Sequence, residues 1–168
     1  MRNIVFIGFM GAGKSSIGKL LAEKLSFSFI DTDILIEKKM KMSIPKIFKQ
    51  YGEAYFRRCE NEAVKEAAER SNIVISTGGG VPMFETNMQV LRENSIIICL
   101  RANAETIMYR TRGRGHRPLL DSQKEKIQEL LDKRKPFYEK ADFFVDTDDL
   151  SPIQIVGEIM AYLRRIKG

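Results

Sequence analysis

Histidine and cysteine are scarce in this sequence, and their scarcity excludes several kinds of site. His116 is the single histidine among 168 residues, so neither a histidine-based catalytic triad nor a histidine-rich metal site is expected. The two cysteines, Cys59 and Cys99, do not form a C-x-x-C pair, which argues against a zinc site and against a disulfide framework. This cysteine usage fits the reducing cytosol, and we expect a cytoplasmic protein.

Long apolar runs are also missing. Each apolar segment is far shorter than the roughly 20 residues that span a bilayer, so a membrane protein is not expected. A strand-like segment begins by about Asn3, so we expect no signal or transit peptide. A chain of 168 residues with 43% hydrophobic and 30% charged residues fits a globular protein, and we expect one domain, residues 1–168.

Basic residues outnumber acidic ones, and the formal net charge is +6. This balance is compatible with nucleic acid, a membrane surface or small anionic ligands as partners. The sequence has no basic tail, no basic stripe interleaved with aromatic residues, and no RNP, KH or helix-turn-helix signature. A pair of polyanionic small molecules explains the charge at least as well, and we expect no nucleic-acid partner.

The most specific motif lies near the N-terminus, where residues 8–15 read G-F-M-G-A-G-K-S directly after the apolar residues 4–7. The pattern G-x-x-x-x-G-K-[ST] between a strand and a helix is typical of a P-loop. Its glycines let backbone N–H groups point inward at an anion, and the following helix adds its dipole. Lys14 can reach the β- and γ-phosphates of a nucleotide, and the Ser15 hydroxyl can hold Mg²⁺.

Apolar segments without alternation recur along the chain at residues 4–7, 27–30, 73–75, 96–100 and 143–145. Such segments are typical of strands that are buried on both faces, and helical patterns lie between them. In the helix after the P-loop, one face that we expect to be buried carries Ile17, Leu20, Leu21 and Leu25. Residues 151–154, S-P-I-Q, predict an N-cap and a capping box at the start of a terminal helix. The alternation predicts an α/β fold of three layers, with a five-stranded parallel sheet flanked by helices.

Two segments interrupt this alternation. Residues 32–61 form a helical insertion, which we interpret as the part that binds the second substrate. Residues 111–123 are rich in glycine and arginine, and we interpret them as a mobile lid that excludes water. A solvated loop is the alternative for the second segment.

Two carboxylates, Asp31 and Asp33, follow the second predicted strand. At the carboxyl end of a strand they face the crevice where ligands of open α/β sheets bind. One can organise Mg²⁺ through water, and the other can accept a proton from a substrate hydroxyl. A solvated turn in which an aspartate caps a helix is the alternative.

Three further motifs are weaker by themselves. Arg57 lies in F-R-R-C-E, where it can clamp a carboxylate but equally can form a surface pair with Glu60 or Glu53. Three glycines end the third strand and allow a ligand to approach the backbone closely. Arg134 opens R-K-P-F-Y, in which Pro136 predicts a stop or a kink of the preceding helix.

The order of these motifs resembles that of the shikimate kinase family. The series is G-x-x-G-x-G-K-S, D-T-D, F-R-x-x-E, G-G-G, R-P-L-L, R-x-P-x-Y and a final D-T-D. The resemblance implies a small P-loop NTPase fold related to nucleoside-monophosphate kinases. It also implies transfer of the γ-phosphoryl group of ATP to the 3-hydroxyl of shikimate, with Mg²⁺ as cofactor. We expect ATP and shikimate to be the binding partners, and we expect the protein to be a monomer.

The resemblance also implies roles for individual residues at the ATP and metal sites. Six residues of the P-loop would bind the phosphates: Gly11, Ala12, Gly13, Lys14, Ser15 and Ser16. Ser15 would ligate Mg²⁺, and Asp31 would support the ion through water. Arg110 would stack on adenine, with Pro152 near the same base.

The remaining roles concern the acceptor and the transferred group. Asp33 would orient or deprotonate the 3-hydroxyl, and Lys14, Asp33 and Arg117 would be the catalytic residues. Arg57 and Arg134 would hold the shikimate carboxylate. Backbone contacts would come from three glycines: Gly78, Gly79 and Gly80. Arg117 would reach the transferred phosphoryl from the lid, although Arg112 and Arg114 compete for this role.

Other functions stay open at this stage. Another small-metabolite kinase of the same architecture, acting on gluconate or on a nucleoside monophosphate, is the nearest alternative. A GTPase is disfavoured because the sequence has no N-K-x-D motif. A non-catalytic nucleotide-binding module is disfavoured because both the P-loop lysine and the two aspartates are present.

Overall fold

Five parallel strands form the centre of the structure, a computed structural model that describes residues 1–111 and 121–168. The strands are β1 (Asn3–Ile7), β2 (Ser28–Asp31), β3 (Ile73–Ser76), β4 (Ser95–Arg101) and β5 (Phe143–Asp146). Their order across the sheet is β2-β3-β1-β4-β5, and all neighbouring pairs are parallel. The five-stranded parallel sheet predicted from the apolar segments is confirmed, and each strand lies within a residue or so of its predicted position.

Helices cover both faces of this sheet. They are α1 (Lys14–Leu25), α2 (Thr32–Met40), α3 (Ile44–Tyr51), α4 (Glu53–Ala68), α5 (Glu85–Glu93), α6 (Ala104–Thr111), α7 (Asp121–Tyr138) and α8 (Pro152–Lys167). A short 3-10 helix, Val81–Met83, follows β3. None of the described helices combines the length and the apolarity needed to cross a bilayer.

The central strand β1 shows why its sequence is apolar without alternation. Ile4 and Phe6 belong to one core cluster together with residues of α1 and α8. Val5 and Ile7 point to the other face, where a second cluster includes residues of α4 and α5. Because both faces are covered, every residue of β1 is buried.

Residues 32–61, which we interpreted as an insertion, comprise α2, α3 and the first half of α4. These helices enclose a small core of their own, built on Ile36, Ile47, Phe56 and Ala63. The insertion thus packs mainly on itself at one edge of the sheet, next to β2.

Two details of the helices differ from the sequence patterns. Leu20 was expected on the buried face of α1 but is 37% exposed, whereas Ile17 and Leu21 are buried. The buried stripe of α1 follows the i, i+4 spacing, and Leu20 lies beside it. Pro136 lies inside α7, and the helix continues for two residues to Tyr138.

The register of the strands places functional segments side by side. Asp31 at the end of β2 is the partner of Ser76 at the end of β3, and Ser76 is in turn the partner of Phe6 in β1. The residues that follow these three strands therefore emerge together at the carboxyl edge of the sheet.

The N-terminus of α8 carries a complete capping box, as predicted. The Ser151 side chain accepts a hydrogen bond from the Gln154 backbone N–H at 3.2 Å. The Gln154 side chain in turn accepts one from the Ser151 N–H at 2.8 Å. These bonds satisfy two backbone donors that the helix itself leaves unpaired.

Replacement of Ser151 by alanine should therefore lower the free energy of unfolding by about 1 kcal/mol. Urea unfolding followed by circular dichroism measures this loss. Ser43→Ala is the matched control, because Ser43 precedes α3 as its N-cap without a side-chain hydrogen bond. Equal losses in the two variants would contradict the contribution assigned to the capping box.

Candidate active site

The predicted site residues face a cleft of about 920 Å³ at the carboxyl edge of the sheet. The loop after β1, the ends of β2 and β3, and the helices α4, α6, α7 and α8 contribute to its wall. Every predicted site residue within the described part of the chain lines this cleft: Gly11, Ala12, Gly13, Lys14, Ser15, Ser16, Asp31, Asp33, Arg57, Gly78, Gly79, Gly80, Arg110, Arg134 and Pro152. The predicted lid residues Arg112, Arg114 and Arg117 lie outside the described residues.

The P-loop depends on its glycines, since Gly8, Gly11 and Gly13 all have a positive φ. Gly8 has a φ of 144°, and a side chain there would lie 2.4 Å from the carbonyl oxygen of Leu100. Gly13, the N-cap of α1, has a φ of 98°. Residues with a side chain rarely adopt either conformation. The loop can therefore turn sharply and start α1 at Lys14, with the positive end of the helix dipole at the cleft.

Lys14 is buried beneath this loop. Its Nζ donates hydrogen bonds to the carbonyl oxygens of Gly8 at 2.7 Å and Phe9 at 2.9 Å. Burial lowers the pKa of Lys14 from 10.5 to about 8, and the carboxylate of Asp33 opposes this shift. An anionic phosphate beside the ammonium would stabilise the charged form, so phosphate binding and protonation of Lys14 favour each other.

The two carboxylate oxygens of Asp31 accept hydrogen bonds from two different parts of the chain, the start of α2 and the P-loop. Oδ1 accepts hydrogen bonds from the N–H groups of Asp33 and Ile34, and thereby caps α2. Oδ2 accepts one from the Ser15 hydroxyl at 2.6 Å. Asp31 thus caps a helix, as the alternative interpretation expected, but its second carboxylate oxygen still faces the P-loop.

This pair of oxygen groups fits Mg²⁺. A hydroxyl and a carboxylate are hard oxygen ligands, and Mg²⁺ usually takes one or two such groups together with substrate phosphates and water. The Ser76 hydroxyl lies 3.3 Å from that of Ser15 and adds a third oxygen. No cluster of three or more histidine, cysteine or acidic residues occurs in the described ranges, so the protein groups there do not form a complete metal cage of such residues.

Asp33 combines burial with close charges of both signs. Burial raises its pKa from 3.8 to about 6, and the neighbouring Asp31 carboxylate adds to the rise. The Lys14 ammonium opposes it. The carboxyl group is therefore mostly ionised at neutral pH, yet it is a better proton acceptor than an ordinary aspartate.

The three glycines after β3 each leave room for one functional side chain. A Cβ on Gly78 would lie 2.7 Å from Asp33 Oδ1. On Gly79 it would lie 2.9 Å from an Nη of Arg134, and on Gly80 it would lie 2.5 Å from an Nη of Arg57. Contacts this short do not occur for real side chains, so glycine is required at all three positions for the site to keep this geometry.

Arg57 pairs with acidic residues and also faces the cleft. Its guanidinium donates a hydrogen bond to Glu60 at 3.0 Å and lies 3.5 Å from Glu53. It also lies over the rings of Phe56 and Phe84. The pair with Glu60 considered as an alternative therefore exists, but it is largely buried and does not lie on the surface. The buried Nε of Arg57, however, has no hydrogen-bond partner among residues 1–111 and 121–168, as expected of a group that binds a ligand.

Glu60 is a residue of the site that the sequence reasoning interpreted only as a surface partner. It is 1% exposed and lines the cleft. Burial raises its pKa, and the Arg57 guanidinium opposes the rise. The motif F-R-x-x-E could have indicated this role, because its glutamate lies one helical turn after the arginine.

Arg134 reaches the cleft from α7. Its guanidinium lies 5.4 Å from the centre of the Phe9 ring, and its buried Nε has no hydrogen-bond partner in the part of the chain that the structure describes. Arg57 and Arg134 thus offer two buried, unpaired N–H donors beside adjacent glycines. Arginine donors in such a pocket suit a carboxylate.

Arg110 links two loops at the other end of the cleft. It donates hydrogen bonds to the hydroxyl of Thr147 at 2.9 Å and to its carbonyl oxygen at 2.8 Å. Longer bonds at 3.3 Å reach the carbonyl oxygens of Gly11 and Ala12. Pro152, the first residue of α8, lines the same cleft. The sequence reasoning did not assign Thr147 to the site, although the final D-T-D motif contains it.

Together these features define a class of protein. A P-loop begins a helix at the carboxyl edge of a parallel sheet, and a buried lysine lies under the loop. The same cleft contains an aspartate with a raised pKa and two arginines whose Nε donors have no partner among the described residues. This arrangement is that of a P-loop phosphotransferase with a second site for an anionic acceptor.

Comparison with known proteins identifies the family. The family model described as Shikimate kinase matches residues 10–164. The shikimate kinase of Thermodesulfovibrio yellowstonii is 46% identical over 170 residues, covering 100% of this chain and 98% of that protein. The solved structure of shikimate kinase from Acinetobacter baumannii in complex with shikimate has a TM-score of 0.91 and 32% identity, covering 99% and 95% of the two chains. The chain belongs to the shikimate kinase family.

The predicted family, P-loop fold and enzyme class are therefore confirmed: the family consists of kinases that phosphorylate shikimate. A gluconokinase from Sinorhizobium meliloti also matches, with a TM-score of 0.65 and 18% identity. That likeness shows the fold alone and gives no support to gluconate as the acceptor.

The raised pKa of Asp33 has a consequence for stability. Between pH 3.8 and about 6 the folded chain holds this proton more tightly than the unfolded chain. Stability is therefore lost as pH rises through this window, because the folded chain alone must bury the charge. Below the window both states carry a neutral carboxyl, and the penalty disappears.

Asp33→Asn should accordingly raise the free energy of unfolding at pH 8 by roughly 1–3 kcal/mol, with a much smaller gain near pH ~4. Chemical denaturation of the metal-free and nucleotide-free protein at the two pH values measures the difference. Asp149→Asn, at an exposed position, is the control and should show no such gain. A gain from Asp33→Asn that is equal at both pH values would rule out the buried charge as its cause.

Proposed function

We propose that this chain transfers the γ-phosphoryl group of ATP to the 3-hydroxyl of shikimate and produces shikimate 3-phosphate and ADP. The observation that carries the proposal is the meeting of two half-sites in one cleft. The P-loop provides the half for the phosphates. Asp33, with two arginines whose Nε donors have no partner among the described residues, provides the half for a small hydroxylated carboxylate. The structural relative from Acinetobacter baumannii, which contains shikimate, supports this choice of acceptor.

In the donor half, the backbone N–H groups of residues 11–16 would bind the phosphates at the N-terminus of α1. The ammonium of Lys14 would neutralise charge on the β- and γ-phosphates. Arg110 would stack on adenine near Pro152. Its bonds to Thr147 and to the P-loop carbonyl oxygens support this role, because they hold the guanidinium at one end of the cleft.

Ser15 and Asp31 would hold Mg²⁺, directly and through water respectively. When bound, the ion would neutralise phosphate charge that the protein groups alone leave unbalanced. The hydrogen bond between the two residues supports the assignment, because it already places both oxygens beside the P-loop.

In the acceptor half, Arg57 and Arg134 would bind the carboxylate and so fix the ring. Asp33 would then accept a hydrogen bond from the 3-hydroxyl and align its oxygen with the γ-phosphoryl group. Phosphoryl transfer has a loose transition state, so alignment matters more than base strength. The proton can pass to Asp33 as the oxygen–phosphorus bond forms, which its raised pKa favours.

The remaining assignments rest on the sequence motifs. Arg117, which is outside the described residues, would reach the transferred phosphoryl group, with Arg112 and Arg114 as competitors. We further propose that the enzyme works as a monomer in the cytoplasm without a nucleic-acid partner. The free thiols of Cys59 and Cys99 support a reducing compartment.

An assay of ADP release tests the reaction. Shikimate should stimulate turnover strongly over the ATP-only rate, whereas gluconate and nucleoside monophosphates should not. Removal of divalent metal should abolish the stimulated rate, and added Mg²⁺ should restore it. Turnover that shikimate fails to stimulate would contradict the proposal, and stimulation by gluconate instead would favour the alternative acceptor.

The carboxylate clamp predicts a selective defect. Arg57→Ala or Arg134→Ala should raise the KM for shikimate roughly 10- to 100-fold, because each change removes a charge-assisted hydrogen bond. The KM for ATP should stay within about twofold, since neither side chain belongs to the proposed phosphate site. Steady-state kinetics with each substrate varied in turn measures both values.

Arg92→Ala is the control for this experiment. Arg92 forms a surface pair with Glu85 and does not line the cleft, so its loss should change neither KM. An unchanged KM for shikimate in both clamp variants would overturn the assignment.

A further inference from the structure

The last residue of α7, Tyr138, belongs to the R-x-P-x-Y motif but has no role in the scheme above. It lies one helical turn after Arg134, and its side chain is 8% exposed within the core cluster that covers one face of the sheet. A buried phenol hydroxyl normally requires a hydrogen-bond partner. The partners that it has here are both parts of the proposed acceptor site.

The hydroxyl of Tyr138 lies between two of these parts. It donates a hydrogen bond to the carbonyl oxygen of Gly79 at 2.8 Å. It accepts one from an Nη of Arg134 at 3.4 Å. A Cβ on Gly79 would lie 2.9 Å from this Nη and 3.5 Å from the hydroxyl oxygen, so all three groups are in close contact.

The bond to Gly79 also controls a neighbouring donor. The carbonyl of Gly79 and the N–H of Gly80 belong to one trans peptide plane and point in opposite directions. A plane between two glycines rotates easily, because neither residue has a side chain to restrict it. When the hydroxyl holds the carbonyl, it therefore also sets the direction of the Gly80 N–H.

The hydroxyl stays a donor at working pH. Burial raises the pKa of Tyr138 above its ordinary value, and the positive charge of Arg134 only partly opposes this rise. The proton is thus retained throughout the neutral range, and the hydrogen bond to Gly79 persists there.

We propose that Tyr138 is a positioning residue for the acceptor. Its hydroxyl fixes the position of the Arg134 guanidinium and the orientation of the Gly79–Gly80 peptide. This inference rests on the proposed function of the cleft. It assigns Tyr138 an effect on acceptor affinity, with no effect on ATP binding or on the chemical step once the acceptor is bound.

Tyr138→Phe is the test, because it removes one oxygen and keeps the ring in the core. The KM for shikimate should rise about three- to tenfold, the effect of losing one or two hydrogen bonds. The KM for ATP, and kcat at saturating shikimate, should stay within about twofold. Parallel losses in kcat and in the KM for ATP would instead show a general structural role and overturn the proposal.

The matched control is Tyr162→Phe. The hydroxyl of Tyr162 also bonds to a backbone carbonyl, that of Asp142 at 3.5 Å, but its ring packs against the opposite core cluster. This variant should leave both KM values unchanged. A rise in the shikimate KM equal to that of Tyr138→Phe would show that any lost phenol hydroxyl has this effect, and would contradict the proposal.

A double variant tests whether Tyr138 acts through Arg134. Once Arg134→Ala has removed the guanidinium, Tyr138→Phe should raise the shikimate KM further by less than it does alone, because only the effect through Gly79 is left. Full additivity of the two effects would overturn the link to Arg134.

A measurement without substrate separates this inference from the proposed function. In ¹⁵N spectra of the free protein, Tyr138→Phe should shift the Gly80 amide and Arg134 Nε resonances, and Tyr162→Phe should not. Unmoved resonances would overturn the inference whatever the enzyme phosphorylates. A wild-type enzyme that shikimate fails to stimulate would overturn the proposed function, and moved resonances would still support the positioning of Arg134 and Gly80.

Discussion

The parallel register of β1, β2 and β3 is the constraint on which the site depends. Pairing places Asp31 opposite Ser76 and Ser76 opposite Phe6, so the three strands end at one edge. Parallel strands also require crossover connections, and these connections supply the P-loop helix α1 and the insertion. One hydrogen-bonding pattern thus brings the phosphate loop, the aspartates and the glycine-rich turn together, although more than 60 residues separate Lys14 from Gly78.

Burial of charged groups also determines the properties of the cleft. It lowers the pKa of Lys14, and it raises the pKa of Asp33 and of Glu60. Opposite charges nearby counter each shift, so the groups depend on one another to stay ionised. Such an arrangement reduces the stability of the protein without ligands. Bound phosphates and a bound carboxylate would supply anionic partners for the cationic groups of the cleft. The Nε atoms of Arg57 and Arg134, which are buried without a partner among the described residues, add to this cost.

Sequence reasoning succeeded where the signal is local. The P-loop, the capping box at Ser151 and the apolar strands each depend on neighbouring residues, and the structure has all of them. It was less successful where a partner lies far along the chain. Glu60 looked like a surface residue because nothing nearby in the sequence shows that it packs beside Gly78. Leu20 was expected to be buried, but the packing of the helix against the sheet left it partly exposed.

The amino-acid sequence by itself determined that this protein binds phosphates on a parallel α/β sheet, because glycine spacing, apolar runs and helix caps act over a few residues. The order of its motifs also identified its family. Only the tertiary structure decided which groups touch. The contacts of Gly78, Gly79 and Gly80 with three distant side chains, and of the Tyr138 hydroxyl with Gly79, arise from the strand order and from the packing of helices against the sheet. These long-range contacts, which leave no periodic pattern in the chain, give the proposed acceptor half of the cleft its shape.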